Sequence, residues 1–276
     1  MLELIQITND PAFARRCDAL DGMRLWVDLE RLGKAERQAG RNTFISGHQR
    51  DDGARIKDVL RRAPLMVRVN PLNPQSADEV DAVLARGADL LMLPMFTTAD
   101  ELRSFSALVA GRAPVVPLLE TAGALATLDD WVATPGLHEI YVGLNDLHLS
   151  LGLRFMFEPL ASGIVAGVAA AARSQGLRFG FGGVARLDEG LLPGRDVLAE
   201  HVRLGSRAVI LSRTFHRPAA SGLPAHPFET EVDRLRQVEF ELSQRSAAQQ
   251  EADRVRIAGV IAGIATRLAP AAEAAA

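Results

Sequence analysis

The strongest constraint on this chain of 276 residues is a regular alternation of short apolar runs with longer amphipathic ones. The runs are LELIQI (2–7), RLWVDLE (24–30), LMVRVN (65–70), DLLMLP (89–94), VVPLLE (115–120), EIYVGL (139–144), RFGFGG (178–183) and RAVILSR (207–213). Each is short and apolar on both faces, the pattern of a parallel strand covered by helices on either side. Between them lie helix-forming segments. SADEVDAVLARG opens with Ser76 as N-cap and closes on a glycine, and TTADELRSFSALVAG has the same grammar. Eight β-then-α units in series predict an α/β fold, a (β/α)8 TIM barrel. A doubly wound open sheet is the competitor, but no G-x-G-x-x-G follows the first strand and no G-x-x-x-x-G-K-[ST] occurs.

The barrel is expected over residues 1–216, followed by a linker and C-terminal helices over 217–276. RPAASGLPAHP (217–227) reads as linker. Val232, Leu235, Val238 and Leu242 then recur at helical spacing, and Val255, Ile257, Val260, Ile261 and Ile264 form a second stripe. Those stripes must be buried on the barrel of the same or a neighbouring subunit, so a homo-oligomer through the C-terminal helices is expected. The Ala-rich tail after Pro270 is expected to fray. A net charge of −3 gives no basic field for nucleic acid or an anionic membrane. No basic-then-apolar leader and no run of about 18 apolar residues occurs, so the expected compartment is the cytoplasm. Cys17 is the single cysteine, which excludes an internal disulfide, and in FARRCDAL it reads as a buried helix residue rather than a nucleophile.

Chemistry in such a barrel occurs at the C-terminal ends of the strands. The second run delivers Asp28, Glu30 and Arg31 there, the third Arg68 and Asn70, the fourth Pro94-Met95, the fifth Glu120-Thr121, and the sixth Asn145-Asp146. Glu120 and Asp146 come from adjacent strands and reach the same mouth. Two carboxylates that close repel each other, and a divalent cation removes the conflict. With oxygen donors and no Cys or His pair, a hard ion such as Mg2+ or Mn2+, completed by water and substrate, suits the set. Arg68 suits an anionic group or an enolate oxygen beside that ion. The plainer alternatives are that either carboxylate caps the helix after it, or pairs with Arg68.

The run RVNPLNPQSADEVDAVLARGADLLMLPMFTTADEL (68–102) resembles a segment of the class II 4-hydroxy-2-oxo-acid aldolases, running from their arginine to "GA…LLVPM…ADEA". LLETAGAL (118–125) is similar to their "QIET..A" strand, YVGLNDLHLSLG (141–152) to their "iGpnDLs.slG", and DLER (28–31) to their "DLED" or "DgEH". The larger HpcH/HpaI aldolase/citrate lyase family includes citrate lyase β subunits and malyl-CoA lyases. The resemblance, over roughly 20–215, implies a carbon–carbon lyase acting through the enolate of a small 2-oxo acid such as pyruvate. It implies that Glu120 and Asp146 hold Mg2+, Mn2+ or another divalent cation, and that Arg68 binds the enolate or keto oxygen. It implies further that the loop through Met95, Phe96 and Thr97 brings backbone N–H groups to the substrate carboxylate, with Asn145 positioning a turn or water. No lysine Schiff base is implied, and neither Lys34 nor Lys57 falls on an expected strand end.

The departures concern proton transfer. Aldolases of the family carry a histidine where this chain has Arg31, which cannot act as a base near neutral pH. Asp28, Glu30 or His48 are the substitutes on offer, with a solvated loop histidine as the plainer reading of His48. His148, where the family has a small residue, reads as packing at the rim. Arg31, Arg37 and Arg41 fall in a polar stretch that is either a solvated surface or a contact for an anionic second substrate. Two further functions stay open: an acyl-CoA or citrate-type lyase or synthase, and a non-catalytic member of the family.

Overall fold

The computed structural model describes residues 1–34, 47–216 and 226–268. Arg37, Arg41, most of the expected linker and the Ala-rich tail lie outside the described residues. Eight strands, β1 (Glu3–Ile7), β2 (Met23–Asp28), β3 (Leu65–Arg68), β4 (Leu90–Leu93), β5 (Val115–Leu119), β6 (Glu139–Val142), β7 (Arg178–Val184) and β8 (Ala208–Leu211), pair in parallel and in chain order. β8 returns to β1, with Leu4 opposite Val209, so the sheet closes into the expected barrel.

Helices α1 (Pro11–Asp18), α2 (Arg50–Lys57), α3 (Ser76–Ala85) and α4 (Ala99–Val109) follow the first strands. Then come α5 (Ala122–Ala126), α6 (Leu128–Trp131), α7 (Leu144–Ser150), α8 (Glu158–Ala161), α9 (Ile164–Ser174) and α10 (Gly194–Leu204). The capping grammar holds at α4, where the Thr98 side chain accepts from the Glu101 N–H and Glu101 reaches back. At α3 it shifts by one residue: Gln75 is the N-cap, and Ser76 begins the helix while its hydroxyl accepts from the Asn73 N–H.

Two apolar cores follow from the two-residue period of the strands. Ile5, Trp26, Met66, Met92, Leu118 and Tyr141 belong to the smaller one inside the barrel, and the larger one lies between barrel and helices. The interior is unevenly filled. A Cβ on Gly180 would come within 2.7 Å of the Tyr141 ring, so Tyr141 crosses the space that glycine leaves. Its hydroxyl donates to the Gly182 carbonyl at 2.7 Å and accepts from the Ile210 N–H at 2.9 Å.

The barrel floor is ionic. Arg24, 1% exposed, grips Glu139 through both terminal nitrogens at 2.9 and 3.1 Å and also bonds Glu3. Arg178 joins the same two acids.

The C-terminal helices α11 (Phe228–Ser243) and α12 (Ala247–Arg267) pack on their own barrel. Val232, Leu235, Val238 and Leu242 are buried, as are Ile257, Ile261 and Ile264, whereas Val255 is exposed. Arg236 donates to the Leu2 carbonyl, and Arg256 clasps Asp196 of α10 at 2.6 and 3.0 Å. Most of both stripes is thus buried within the chain, and burying it requires no second subunit. Cys17 is fully buried, its thiol pushed up to about 12 by desolvation. Among the described residues no helix is long and apolar enough to cross a membrane.

Glu139→Ala should destabilise the fold by about 3 kcal/mol, because it leaves a buried arginine with one carboxylate fewer. Urea denaturation checks this, and a loss under about 1 kcal/mol would show that the ionic floor does not hold the barrel.

Candidate active site

Most strands end slightly earlier than the apolar runs, although β1 ends with its run and β7 one residue past it, and the polar residues fall on the last ladder position or just beyond. Asp28 and Arg68 are opposite one another in the β2–β3 register. Arg68 clasps Asp28 through Nε and Nη2, both at 2.8 Å, and Nη2 also reaches Glu30 at 3.2 Å. Its guanidinium lies over the Trp26 ring, 4.9 Å from the centroid. Among the described residues Nη1 of Arg68 makes no hydrogen bond. Burial acts to raise the Asp28 carboxyl, but Arg68 and Lys34 together hold it well below the usual carboxylate range.

Glu120 stands one residue past β5 and is buried. Its Oε1 accepts the Met95 N–H at 3.1 Å. Met95 has φ +56, a left-handed backbone that costs a non-glycine residue on the order of 1 kcal/mol, and this turn directs the amide at Glu120. On the other side a Cβ at Gly143 would lie 2.7 Å from Oε2 of Glu120. The glycine before Leu144 is therefore the space into which the carboxylate folds.

Asp146 does not end a strand. β6 stops at Val142, Gly143 caps α7, and Leu144, expected as the last strand residue, begins that helix, with Asp146 in its first turn. A short helix delivers the carboxylate to the mouth, and its cap, Gly143, is held free of a side chain by the Glu120 carboxylate packed against it.

The capping alternatives fail for both acids. Thr121 caps α5 through its own side chain, and α7 has Gly143 at its cap with no side-chain bond. Among the described residues Asp146 makes no hydrogen bond or ion pair. Burial pushes the Glu120 carboxyl up to about 8, with Arg68 opposing and the charges of Asp146 and Glu30 adding to the rise. Glu120 thus feels Arg68, Asp146 and Glu30 at once across one mouth. A buried acid raised by its neighbours and a second acid without a partner fit a divalent cation on oxygen donors. Among the described residues no three His, Cys, Asp or Glu side chains converge as a ready ligand set, so two protein oxygens would leave the remaining positions to water and substrate.

The other expected residues divide. Glu30 is in the mouth, and Asn145 is half-buried on α7. Phe96 is buried edge-on against Trp131, and its carbonyl accepts the Thr121 hydroxyl. The Thr97 N–H is committed to Glu101 at 2.6 Å, and its hydroxyl goes to the same oxygen, so this amide does not serve a substrate carboxylate as expected. Arg31 is exposed at the rim, where its guanidinium donates to the His48 carbonyl and its N–H to Asn70. His148 is buried, with Nδ1 at 3.1 Å from the Leu144 carbonyl of its own helix, as rim packing requires.

His48 is buried rather than solvated. Its Nδ1 accepts the Asp28 N–H at 3.1 Å, which places the proton of the neutral ring on Nε2. Burial first, then Lys34 and Arg31, lower its pKa, against the pull of Asp28. The ring in this arrangement is a hydrogen-bond donor, and accepting a proton at Nδ1 would break its bond to Asp28.

Lys34 is the residue that sequence reasoning missed. It is buried beside Asp28 and Glu30, with Nζ 2.7 Å from Asp28. It lies six residues past Asp28, beyond the strand, and only its i, i+4 spacing from Glu30 gave a signal.

A family model described as HpcH/HpaI aldolase/citrate lyase matches residues 54–184. No curated protein matches the chain. Among solved structures, an HpcH/HpaI aldolase from Desulfitobacterium hafniense is 15% identical with a TM-score of 0.57, covering 89% of this chain and 94% of that one. A citrate lyase from Burkholderia xenovorans is 14% identical with a TM-score of 0.59, covering 92% and 96%. The citrate lyase β subunit of M. tuberculosis, complexed with oxaloacetate and magnesium, is 17% identical with a TM-score of 0.55, covering 88% and 97%. At these identities the structural likeness establishes the fold.

The raised Glu120 acid has a signature in stability. Its folded pKa of about 8 exceeds the ordinary 4.5, so its contribution is full below about 4.5 and is lost as pH rises towards 8. With chelator present, urea stability should fall across this window, and Glu120→Gln should flatten the slope. An unchanged slope in the variant would place the titration elsewhere.

Proposed function

We propose that this chain, whose residues 54–184 match the HpcH/HpaI aldolase/citrate lyase family model, is a metal-dependent carbon–carbon lyase acting on a small 2-oxo acid through its enolate. The observation that carries this is the convergence on one barrel mouth of Glu120, Arg68 and Asp146, the last without a partner among the described residues. Glu120 and Asp146 would hold a divalent cation, Mg2+ or Mn2+, which when bound would supply Lewis-acid stabilisation of the developing enolate.

The protein's own groups do the rest. Asp28 fixes two nitrogens of Arg68, so the guanidinium cannot swing, and Nη1 remains to donate to the oxygen that becomes anionic when the C–C bond breaks. The Met95 N–H holds one oxygen of Glu120 and thereby orients the other. Trp26 covers the underside of Arg68 and keeps water from that face. None of Asp28, Arg31 or His48 is set up as a free base. Asp28 is ion-paired on both oxygens, Arg31 is a cation at the rim, and Nδ1 of His48 is spent.

That arrangement also favours a second reading, a citrate-type lyase or synthase using the same enolate, with a 2-oxo dicarboxylate such as the oxaloacetate bound by the M. tuberculosis relative. Inhibition by free coenzyme A would mark an acyl-CoA partner.

Titration calorimetry should show Mn2+ binding that Glu120→Ala and Asp146→Ala each weaken at least tenfold. Cleavage of oxaloacetate to CO2 and the pyruvate enolate, a C–C break that needs no protein base, should require the metal and fall by about 100-fold in Arg68→Lys, which cannot keep the two-point grip. Mn2+ affinity unchanged in both carboxylate variants would sink the assignment.

A further inference from the structure

The mouth raises a problem of charge. Arg68 pairs with both Asp28 and Glu30, and one guanidinium beside two buried carboxylates is a net anion. An anionic 2-oxo acid arriving at Nη1 would meet repulsion from a group meant to attract it. Lys34 changes the balance. It is 3% exposed, with Nζ 2.7 Å from Oδ2 of Asp28 and 3.4 Å from Oε2 of Glu30, the same two carboxylates that hold Arg68. Two cations now face two anions, and each carboxylate is shared between a lysine and an arginine.

We propose that Lys34 is a positioning residue that neutralises Asp28 and Glu30, leaving the charge of Arg68 available to the anionic substrate. This role rests on the enolate reading above. It also explains how a lysine can be buried in such a mouth without forming a Schiff base: its Nζ is engaged by Asp28 and Glu30 rather than presented to a carbonyl carbon. Lys57, the other lysine, pairs with Asp89 at the partly exposed side of the barrel and has no such position.

The test separates binding of the enolate mimic from binding of the metal. Oxalate affinity at saturating Mg2+ is measured by calorimetry and by intrinsic fluorescence. Trp26 reports because Arg68 lies on its ring, while Trp131 is fully buried and tied to the Ala124 carbonyl. Lys34→Met, similar in length without the charge, should weaken oxalate about tenfold or more. Its Mn2+ affinity should stay within about threefold of wild type, since Lys34 makes no ion pair with Glu120 or Asp146. Lys34→Arg, which keeps the charge, should restore most of the oxalate affinity.

Oxalate binding in Lys34→Met as tight as in wild type, with Mn2+ binding intact, would overturn the role. So would a folded Lys34→Arg that binds oxalate no better than the methionine variant. Borohydride treatment with pyruvate that adds mass at Lys34 would overturn it in another way, by making the residue a nucleophile. Should wild type bind Mn2+ but not oxalate, the enolate reading itself fails and this role with it.

Discussion

The clasp of Arg68 on Asp28 is the interaction around which the mouth of the barrel is organised. Two parallel strands place the two residues opposite each other, and the planar fork of the guanidinium fits the carboxylate at two points. Removing either partner would leave a buried charge with one counter-charge fewer, Asp28 with Lys34 alone or Arg68 with Glu30 alone. Trp26 lies beneath the guanidinium, Lys34 takes the second oxygen of Asp28, and the Asp28 N–H fixes the ring of His48. What these groups leave over is one edge of Arg68, facing the field of Glu120.

The other half of the mouth is shaped by missing side chains. Gly143 leaves room for the Glu120 carboxylate, and a Cβ on Gly182 would meet Leu144 at 2.8 Å. Adjacent strands thus have close approach built in where α7 turns back over the barrel. The strained turn at Met95 completes the cage by spending a backbone N–H on Glu120. Acidic and basic groups are concentrated at both barrel ends, but with different outcomes. On the floor Arg24 and Arg178 are matched to Glu3 and Glu139, whereas at the mouth Asp146 is left unmatched among the described residues. A matched network serves stability, whereas an unmatched carboxylate beside a raised one leaves charge uncompensated in the mouth.

Much of this was legible in the residues. The eight apolar runs each became a strand, and the polar residues at their ends did collect on one rim, because a parallel strand buried on both faces has nowhere else to place them. Asp28, Glu30, Arg68 and Glu120 lie where the strand ends put them. Asp146 reached the mouth by a different route, a helix starting at Leu144, since a strand pattern cannot show where a glycine lets the chain leave the sheet. The Thr97 amide departs from the expectation for a local reason: it donates to Glu101 at the capping box of α4, a competing use of the same donor.

The periodicity of the sequence, with its eight units and two C-terminal stripes, determined the barrel and the helices packed against it, because burial of apolar surface depends on spacing along the chain. The motifs determined which acids and which arginine face the mouth. Only the tertiary structure decided the protonic character of the site. It brought Lys34 and His48, neither on a strand, against Asp28, and it committed Nδ1 of His48 to a backbone amide. Charge balance and hydrogen-bond direction depend on distances of about 3 Å between residues far apart in sequence, and no pattern along the chain records them.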